Sequence, residues 1–501
     1  MSEPPDPDLA EPDVPEQVRV RREKYDRVMA DPRTAPYPVK VAKTATLAEI
    51  RARYPELDAD TATGERVGIA GRVIFVRIGG KLCFATLREG GVELQVMLSQ
   101  DRVGPQRLAQ FKTDVDLGDH IFVAGEVISS RRGELSVLAD EWRLTSKALQ
   151  SLPVAHKPLS EEMRVRRRYV DLIVRPEARQ MVFTRSAIVR SVRETLQERG
   201  YLEVETPVLQ TVHGGAAARP FRTHLNAFDR DMSLRIATEL YLKRCVVGGI
   251  DQVFEIGRIF RNEGIDSSHS PEFSTLEAYQ AYGDYDTMAE LTQALIQNAA
   301  RAAGGPAPVT DDGQTIDLFG PWRSATVHEL VSQAVGETVD PGTELSVLQG
   351  YAKRFDVALK PGWDAGAVVL ELYEKLVEHT LVQPTFVRDY PASARPLARN
   401  HRDDPRLVEA WDLIIGRFET ATAYSELADP VEQRRRLVAQ SLAAAAGDPE
   451  AMELDEDFLL ALEYGLPPTG GMGMGIDRLV MLLTGRGIRE TILFPLLKPL
   501  D

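Results

Sequence analysis

Apolar and polar residues alternate through most of residues 67–144, in the runs VGIAGRVIFVRI, KLCFATLRE, VELQVMLS, HIFVAGEVIS and ELSVLADEWRL. Gly79-Gly80, Gly90-Gly91 and Arg132-Gly133 separate them. A period of two with β-branched residues predicts strands, and the glycines predict turns. One helical stretch, Gly104 to Thr113, precedes the fourth run. Five strands so arranged predict an OB-fold barrel; the pattern alone leaves another small barrel open. Upstream, the segment from Glu16 to Met29 has helical periodicity, and Pro32, Pro36 and Pro38 then break the chain. Downstream, a long helix is predicted from Pro176 to Arg199, closed by Gly200. Beyond it SLRIAT, QVFEIGRIFRNE and EFSTLEAYQAY mix strands with helices, which points to an α+β domain. Residues 326–385 are mainly helical and resemble an insertion in that domain; no internal repeat is evident. The expected organisation is a disordered tail over 1–15, a helical extension over 16–60, the barrel over 61–149, a linker over 150–175 and the α+β domain over 176–501.

Composition changes this picture little. A chain of 501 residues exceeds one core, and 43% hydrophobic with 27% charged residues is ordinary for a globular protein. No apolar run reaches the roughly 18 residues of a membrane span. The Pro-rich, acidic start MSEPPDPDLAEPDVPE lacks the basic and apolar regions of a signal peptide. Cys83 and Cys245 sit in apolar stretches and read as reduced core residues. The expected compartment is the cytosol. A net charge of -15 argues against indiscriminate nucleic-acid binding, but binding depends on patches. QVRVRREKYDRVM (17–29) and RVRRR (164–168) are two basic patches, each equally readable as a solvated helix face.

The chain has no G-x-x-x-x-G-K-[ST] loop, no strand-linked G-x-G-x-x-G and, after His328-Glu329, no second His of a zincin. A nucleotide would therefore be held by side chains and metal ions. FRNEGIDSSHSPEFSTLEAYQAY (260–282) offers such groups. Arg261 and Glu263 alternate on one predicted strand face, and a loop with His269 returns to Phe273, Glu277 and Tyr279. A guanidinium neutralises phosphate, a carboxylate accepts from an exocyclic amine, and an aromatic ring stacks on a purine. In GGMGMGIDRLVMLLTG (470–485) a Gly-rich run enters a helix near Ile476. Arg478 in its first turn opposes the helix dipole unless an anion faces it, as a phosphate would.

These stretches, in this order, resemble the three motifs of class II aminoacyl-tRNA synthetases: the long helix with GYLEVETPVL, then FRNEG…HSPEF, then GMGMGIDR. GGAAARPF (214–221), LRIATELYLKR (234–244) and AYSELADP (423–430) are similar to lysyl-tRNA synthetases in particular. The resemblance runs from about residue 16 to 499. It implies a catalytic domain built on an antiparallel sheet flanked by helices, a homodimer formed through the first motif, and ATP, L-lysine and tRNA(Lys) as substrates. It implies that Arg261, Glu263, His269, Phe273 and Arg478 bind ATP, with Arg261 and Arg478 catalytic. Gly215, Glu239, Arg261, Glu277, Tyr279, Thr422, Tyr424 and Glu426 would bind lysine, Glu426 and Tyr279 near the ε-ammonium and Gly215 and Glu239 near the α-amino group. Asp412 and Glu419 would hold Mg²⁺. On the barrel, Phe84 would stack on an anticodon base, unless it is a core residue, and Arg77, Gln95 and Glu134 would meet base edges. A pocket for aspartate should instead present cations to the side chain, and the Glu426 region shows none.

The sequence departs from the family at three positions. Thr238 stands for the usual Pro, and Thr422-Ala423 for the frequent Asn-Gly; Ala423 would disfavour a positive φ. The C-terminal third also resembles the synthetase half of two-part lysyl-phosphatidylglycerol synthases. Alternatives are thus a specialised paralogue that lysylates a protein or supplies lysyl-tRNA for lipid modification, and a catalytically silent tRNA-binding protein.

Overall fold

A computed structural model describes residues 15–31, 36–153, 159–266, 269–445 and 454–499. The expected tail over 1–15 falls almost wholly outside them, as does part of the expected linker. Two compact units divide between Arg179 and Gln180.

In the first unit, α1 (Glu16–Met29) and α2 (Leu47–Arg53) lead into β1 (Ala62–Ile78), β2 (Leu82–Glu89), β3 (Val92–Ser99), α3 (Gln100–Val103), α4 (Pro105–Asp114), β4 (His120–Ser129) and β5 (Leu135–Ser146). The strands close into a barrel in the order β1-β2-β3-β5-β4. The alternation seen in sequence is the barrel's inside and outside: Cys83, Ala85 and Leu87 are fully buried, while Leu82, Phe84 and Thr86 between them are half-buried. The two basic runs are largely used internally. Arg21 donates to the carbonyls of Ala148 (2.7 Å) and Leu117 (2.9 Å), Lys24 pairs with Asp116 (2.6 Å) and Arg27 with Asp114 (2.7 Å). Arg168, in α6 (Arg168–Val174) after α5 (Glu161–Arg166), is buried against Asp171 at 3.0 Å. Arg21, Lys24 and Arg27 dock α1 and Arg168 shapes α6, as a charge run usually does, while Arg19 and Arg22 stay exposed.

The second unit is entered along α7 (Pro176–Glu198), followed by β6 (Leu202–Glu203), β7 (Leu209–Gln210), β8 (Arg222–Leu225), β9 (Arg230–Leu234), α8 (Glu239–Val247), β10 (Gln252–Phe260), β11 (Glu272–Ala281), α9 (Tyr285–Ala303) and β12 (Arg323–Thr326). Then come α10 (Val327–Val335), α11 (Leu345–Arg354), α12 (Ala365–Leu376), β13 (Thr385–Pro391), β14 (Leu407–Ile415), β15 (Phe418–Ser425), α13 (Pro430–Ala445), α14 (Glu456–Glu463), β16 (Thr469–Gly475), α15 (Ile476–Thr484) and α16 (Ile488–Thr491). Eight strands form one sheet in the order β12-β13-β14-β15-β16-β11-β10-β6, antiparallel except at its two edges. A second sheet joins β7, β9 and β8. The helices α10 to α12 pack on β13 and β14 in a second core that joins Val331, Leu348, Val369 and Leu372 to Val387, Val408 and Ala410. Among the described residues, no helix is long and apolar enough to cross a membrane.

Pleating assigns the two faces of the large sheet different work. Leu276, Ala278, Trp411, Leu413, Ala421, Ala423, Met472 and Met474 pack with α7, α9 and α15 into one apolar core. The residues between them turn to the other face, so β11, β14, β15 and β16 each read alternately apolar and chemical. Ala423 thus sits in an extended strand, 1% exposed, and is absent from the residues with positive φ. The conflict expected for an alanine there does not arise.

Candidate active site

Register aligns the chemical face row by row. Glu277 lies opposite Gly473, Gly473 opposite Thr422, and Thr422 opposite Asp412. In the next row Tyr279 lies opposite Gly471, and Gly471 opposite Tyr424. The glycines of β16 form the floor of a cavity of about 440 Å³. Gly471 is required by space: a Cβ there would lie 2.0 Å from Glu426 Oε1 and 2.4 Å from the Tyr279 ring. Gly215, at φ +86°, approaches from the opposite wall, where a Cβ would crowd Glu239 and Ala237 at 3.1 Å.

Of the residues expected to bind ATP or lysine, Gly215, Glu239, Arg261, Glu263, His269, Phe273, Glu277, Tyr279, Thr422, Tyr424, Glu426 and Arg478 all line this cavity. Arg261 and Glu263 lie in the loop just past β10 and not on a strand; the turn toward β11 brings the Arg261 guanidinium 5.4 Å from the Phe273 ring centroid. His269 bonds Asp266 at 2.8 Å. Arg478 donates to the Glu419 carbonyl at 2.7 Å from the first turn of α15.

Three carboxylates converge at the inner end. Glu239 opens α8, Glu277 is on β11 and Glu426 follows β15; all three are buried. Glu277 accepts from the Thr238 backbone N–H (2.9 Å) and the Tyr279 hydroxyl (3.3 Å). A proline at 238 would have no N–H to give, so this departure from the family adds a donor to the pocket. Burial pushes the Glu277 carboxyl up to about 7 against those hydrogen bonds. Burial also raises Glu426, opposed by Lys243. Glu426 Oε2 lies 2.5 Å from Lys243 Nζ, while Oε1 has no hydrogen-bond partner among the described residues. Lys243, fully buried on α8, reaches Glu239 at 2.7 Å as well. Only its i,i+4 spacing from Glu239 hinted at this role in the sequence.

The expected metal ligands fare differently. Glu419 lines the cavity, whereas Asp412 does not and is held by Arg395. Arg395 itself lines the cavity and was not anticipated from the sequence. Asp412 Oδ1 is buried with no hydrogen-bond partner among the described residues. Burial and the neighbouring Asp412 push the Glu419 carboxyl up. Among the described residues no cluster of three or more His, Cys, Asp or Glu forms a metal cage. An orphaned carboxylate oxygen of Asp412 near the Glu419 carboxyl suits Mg²⁺, which takes one or two carboxylates and completes its shell with substrate phosphates and water.

On the barrel, Phe84 faces outward and is no core residue; Arg77 stacks on it at 4.4 Å. Gln95 donates to the Ser136 hydroxyl at 2.9 Å, and Glu134 meets Arg51 at 3.4 Å. A bulge between Val73 and Phe75 turns Phe75 onto the same face, opposite Thr86 and exposed. Strict alternation hides that second aromatic. Cys83 is buried in the barrel, and Cys245 is only partly covered.

Comparison with known proteins identifies the two domains. A family described as class II tRNA synthetases (D, K and N) matches residues 160–498, and one described as an OB-fold nucleic acid binding domain matches 67–145. The chain is similar to a lysine–tRNA ligase of Kineococcus radiotolerans, 59% identical over 98% of this chain and 99% of the relative. It is also similar to one of Mycobacterium tuberculosis, 57% identical over 98% and 99%. It shares 52% identity with the lysylphosphatidylglycerol biosynthesis bifunctional protein LysX of Mycobacterium avium, across 97% of this chain but 41% of that protein.

Proposed function

The chain belongs to the class II lysyl-tRNA synthetases and is a lysine–tRNA ligase, and from that premise we propose which of its residues perform each step. Lysine enters with its ε-ammonium at Glu426 and Tyr279 and its α-ammonium at Glu239 and Gly215, while Glu277 supplies the third carboxylate. The observation that carries this reading is the unpartnered Oε1 of Glu426, buried in a cavity already lined by two further carboxylates. An unmatched buried acceptor is costly, and a substrate ammonium satisfies it.

ATP lies with its purine on Phe273 and its exocyclic amine at Glu263, and His269 and Arg478 meet the outer phosphates. Arg261 faces both the lysine carboxylate and the α-phosphate, concentrating positive charge where negative charge develops. A carboxylate oxygen of lysine attacks the α-phosphorus, the bond to the β-phosphate oxygen breaks, and pyrophosphate leaves. The 3′-hydroxyl of the tRNA's terminal adenosine then attacks the lysyl carbonyl, and AMP leaves with the phosphoryl oxygen. Glu419 and Asp412 would hold Mg²⁺, which supplies charge neutralisation for the departing pyrophosphate.

Phe84, stacked by Arg77, and the neighbouring Phe75 offer aromatic faces to unstacked anticodon bases, with Gln95 and Glu134 at base edges. The enzyme works as a homodimer in the cytoplasm. Exposed Val182 and Phe183 on α7, with Leu202, Val208 and Leu209 beyond it, support an apolar interface built on the first motif. Transfer separates this reading from its nearest alternative. Radiolabelled lysine should pass from the enzyme to tRNA(Lys); labelling of a protein acceptor in place of tRNA would point to a protein-modifying paralogue.

A further inference from the structure

Lys243 has the burial of a core residue and the chemistry of a ligand. Its ammonium is fully enclosed, 2.7 Å from Glu239 and 2.5 Å from Glu426, and 6.0 Å from the Phe458 ring centroid of α14. Glu277 and Tyr279 of β11 and Tyr424 of β15 line the cavity beside Glu239 and Glu426, and Lys243 stands behind those two carboxylates. Arg244, the next residue, turns away to Asp455 and Asp457. An ammonium thus already occupies one side of a pocket read above as taking two more, and the interpretation that follows rests on that reading.

Charge counting shows what this cation does. At the inner end of the cavity, Glu239, Glu277 and Glu426 against Arg261, and Lys243 behind them, leave one negative charge when all are ionised; Glu263, Glu419, Asp477, Arg395 and Arg478 belong to the outer part. Lysine brings two ammonium groups and one carboxylate, a net of one positive charge. Aspartate would bring one net negative charge, and a neutral amino acid none. Without Lys243 the deficit would be two, which no standard amino acid matches, and closely spaced buried carboxylates then take up a proton instead. We propose that Lys243 is the fixed internal cation of the amino-acid pocket: it positions Glu239 and Glu426 and sets the pocket's charge deficit to that of a lysine substrate. It touches neither reacting atom and is a positioning residue that determines specificity.

The test is lysine-dependent ATP–pyrophosphate exchange by the full-length enzyme, with lysine KM followed from about pH 7 to 9. Lys243→Met should raise lysine KM at neutral pH by about tenfold or more, the effect of one unit of upward carboxyl shift. The ratio of variant to wild-type KM should shrink as pH rises, because the extra proton is lost; the ionisation of free lysine cancels in that ratio. ATP KM and kcat at saturating lysine should stay within about threefold, since neither depends on the pocket's charge. Lys243→Arg keeps the charge and should keep the wild-type pH profile whatever its KM. A KM ratio that is unity, or raised equally at every pH, overturns the inference, and so does a lowered KM, which would make Lys243 a competitor of the substrate. Lys243→Gln carries the same test if the Met variant does not fold; failure of both neutral variants to fold assigns Lys243 to the fold and also overturns it. Absence of lysine-dependent exchange in the wild type would instead refute the pocket reading itself.

Discussion

Glu426→Gln is the sharpest single perturbation of the amino-acid pocket. The carboxylate is 2% exposed, one oxygen is engaged by Lys243, and the other is left for the substrate ammonium. Removing one partner of a desolvated charge pair costs roughly 2–5 kcal/mol, largely because the other charge is stranded. Here Lys243 keeps Glu239 at 2.7 Å, so the enzyme itself is left with no stranded cation. The lower part of that range, about 2–3 kcal/mol, therefore applies to the substrate. At about 1.4 kcal/mol per tenfold, lysine KM should rise roughly 30- to 150-fold. The ATP groups Phe273, Glu263 and Arg478 are untouched, so ATP KM should change little. Lysine-dependent pyrophosphate exchange at varied lysine and at varied ATP reads both constants. An unchanged lysine KM, or an equal rise in the two, would refute the placement of the ε-ammonium at Glu426.

Four further outcomes follow from the same geometry. Burial raises Glu277 to about 7 and Glu426 also, so the ligand-free fold favours their neutral forms and loses their contribution as pH rises from the unfolded-state value toward those pKa values. Lysine favours the ionised forms, so the gain in Tm at saturating lysine should grow between about pH 6 and 8; a constant or falling gain contradicts the assignment. Glu419→Gln with Asp412→Asn should abolish exchange while a lysyl-adenylate analogue still binds to the folded protein, measured by calorimetry; normal exchange would remove both residues from the site. Phe84→Ala should lower kcat/KM for tRNA about 5- to 150-fold and leave exchange and minihelix charging unchanged, and a fall in exchange would show that the barrel's role is misread. Light scattering should find a dimer at micromolar concentration, consistent with an interface of more than about 2,000 Å², and an active monomer would refute the apolar-interface reading.

The fold was legible where one periodicity governs a segment. The barrel strands, the first helix and the long helix at 176 stand out because their buried faces repeat every second or every third to fourth residue. The site residues were legible through the resemblance of their stretches to the family's motifs, and the sheet register gathers Glu277, Thr422, Tyr424 and the β16 glycines on one face. What stayed hidden depends on contacts distant in sequence. Lys243 reads as one more lysine on a helix until Glu426, far along the chain, is folded against it. Arg395 becomes visible only when it claims Asp412, which a sequence reading offers to metal alone. Phe75 is concealed by a bulge that shifts the alternation by one residue. Thr238 stands where the family usually has Pro, and only the fold shows that its backbone N–H meets Glu277.

The central claim is that three buried carboxylates and one internal cation make this pocket a lysine site. It is tested most directly by ATP–pyrophosphate exchange with each standard amino acid supplied singly to the wild-type enzyme. The geometry predicts exchange with lysine, and none above background with aspartate or asparagine, whose side chains bring no ammonium to Glu426. Exchange driven by aspartate or asparagine, or silence with lysine, would contradict it.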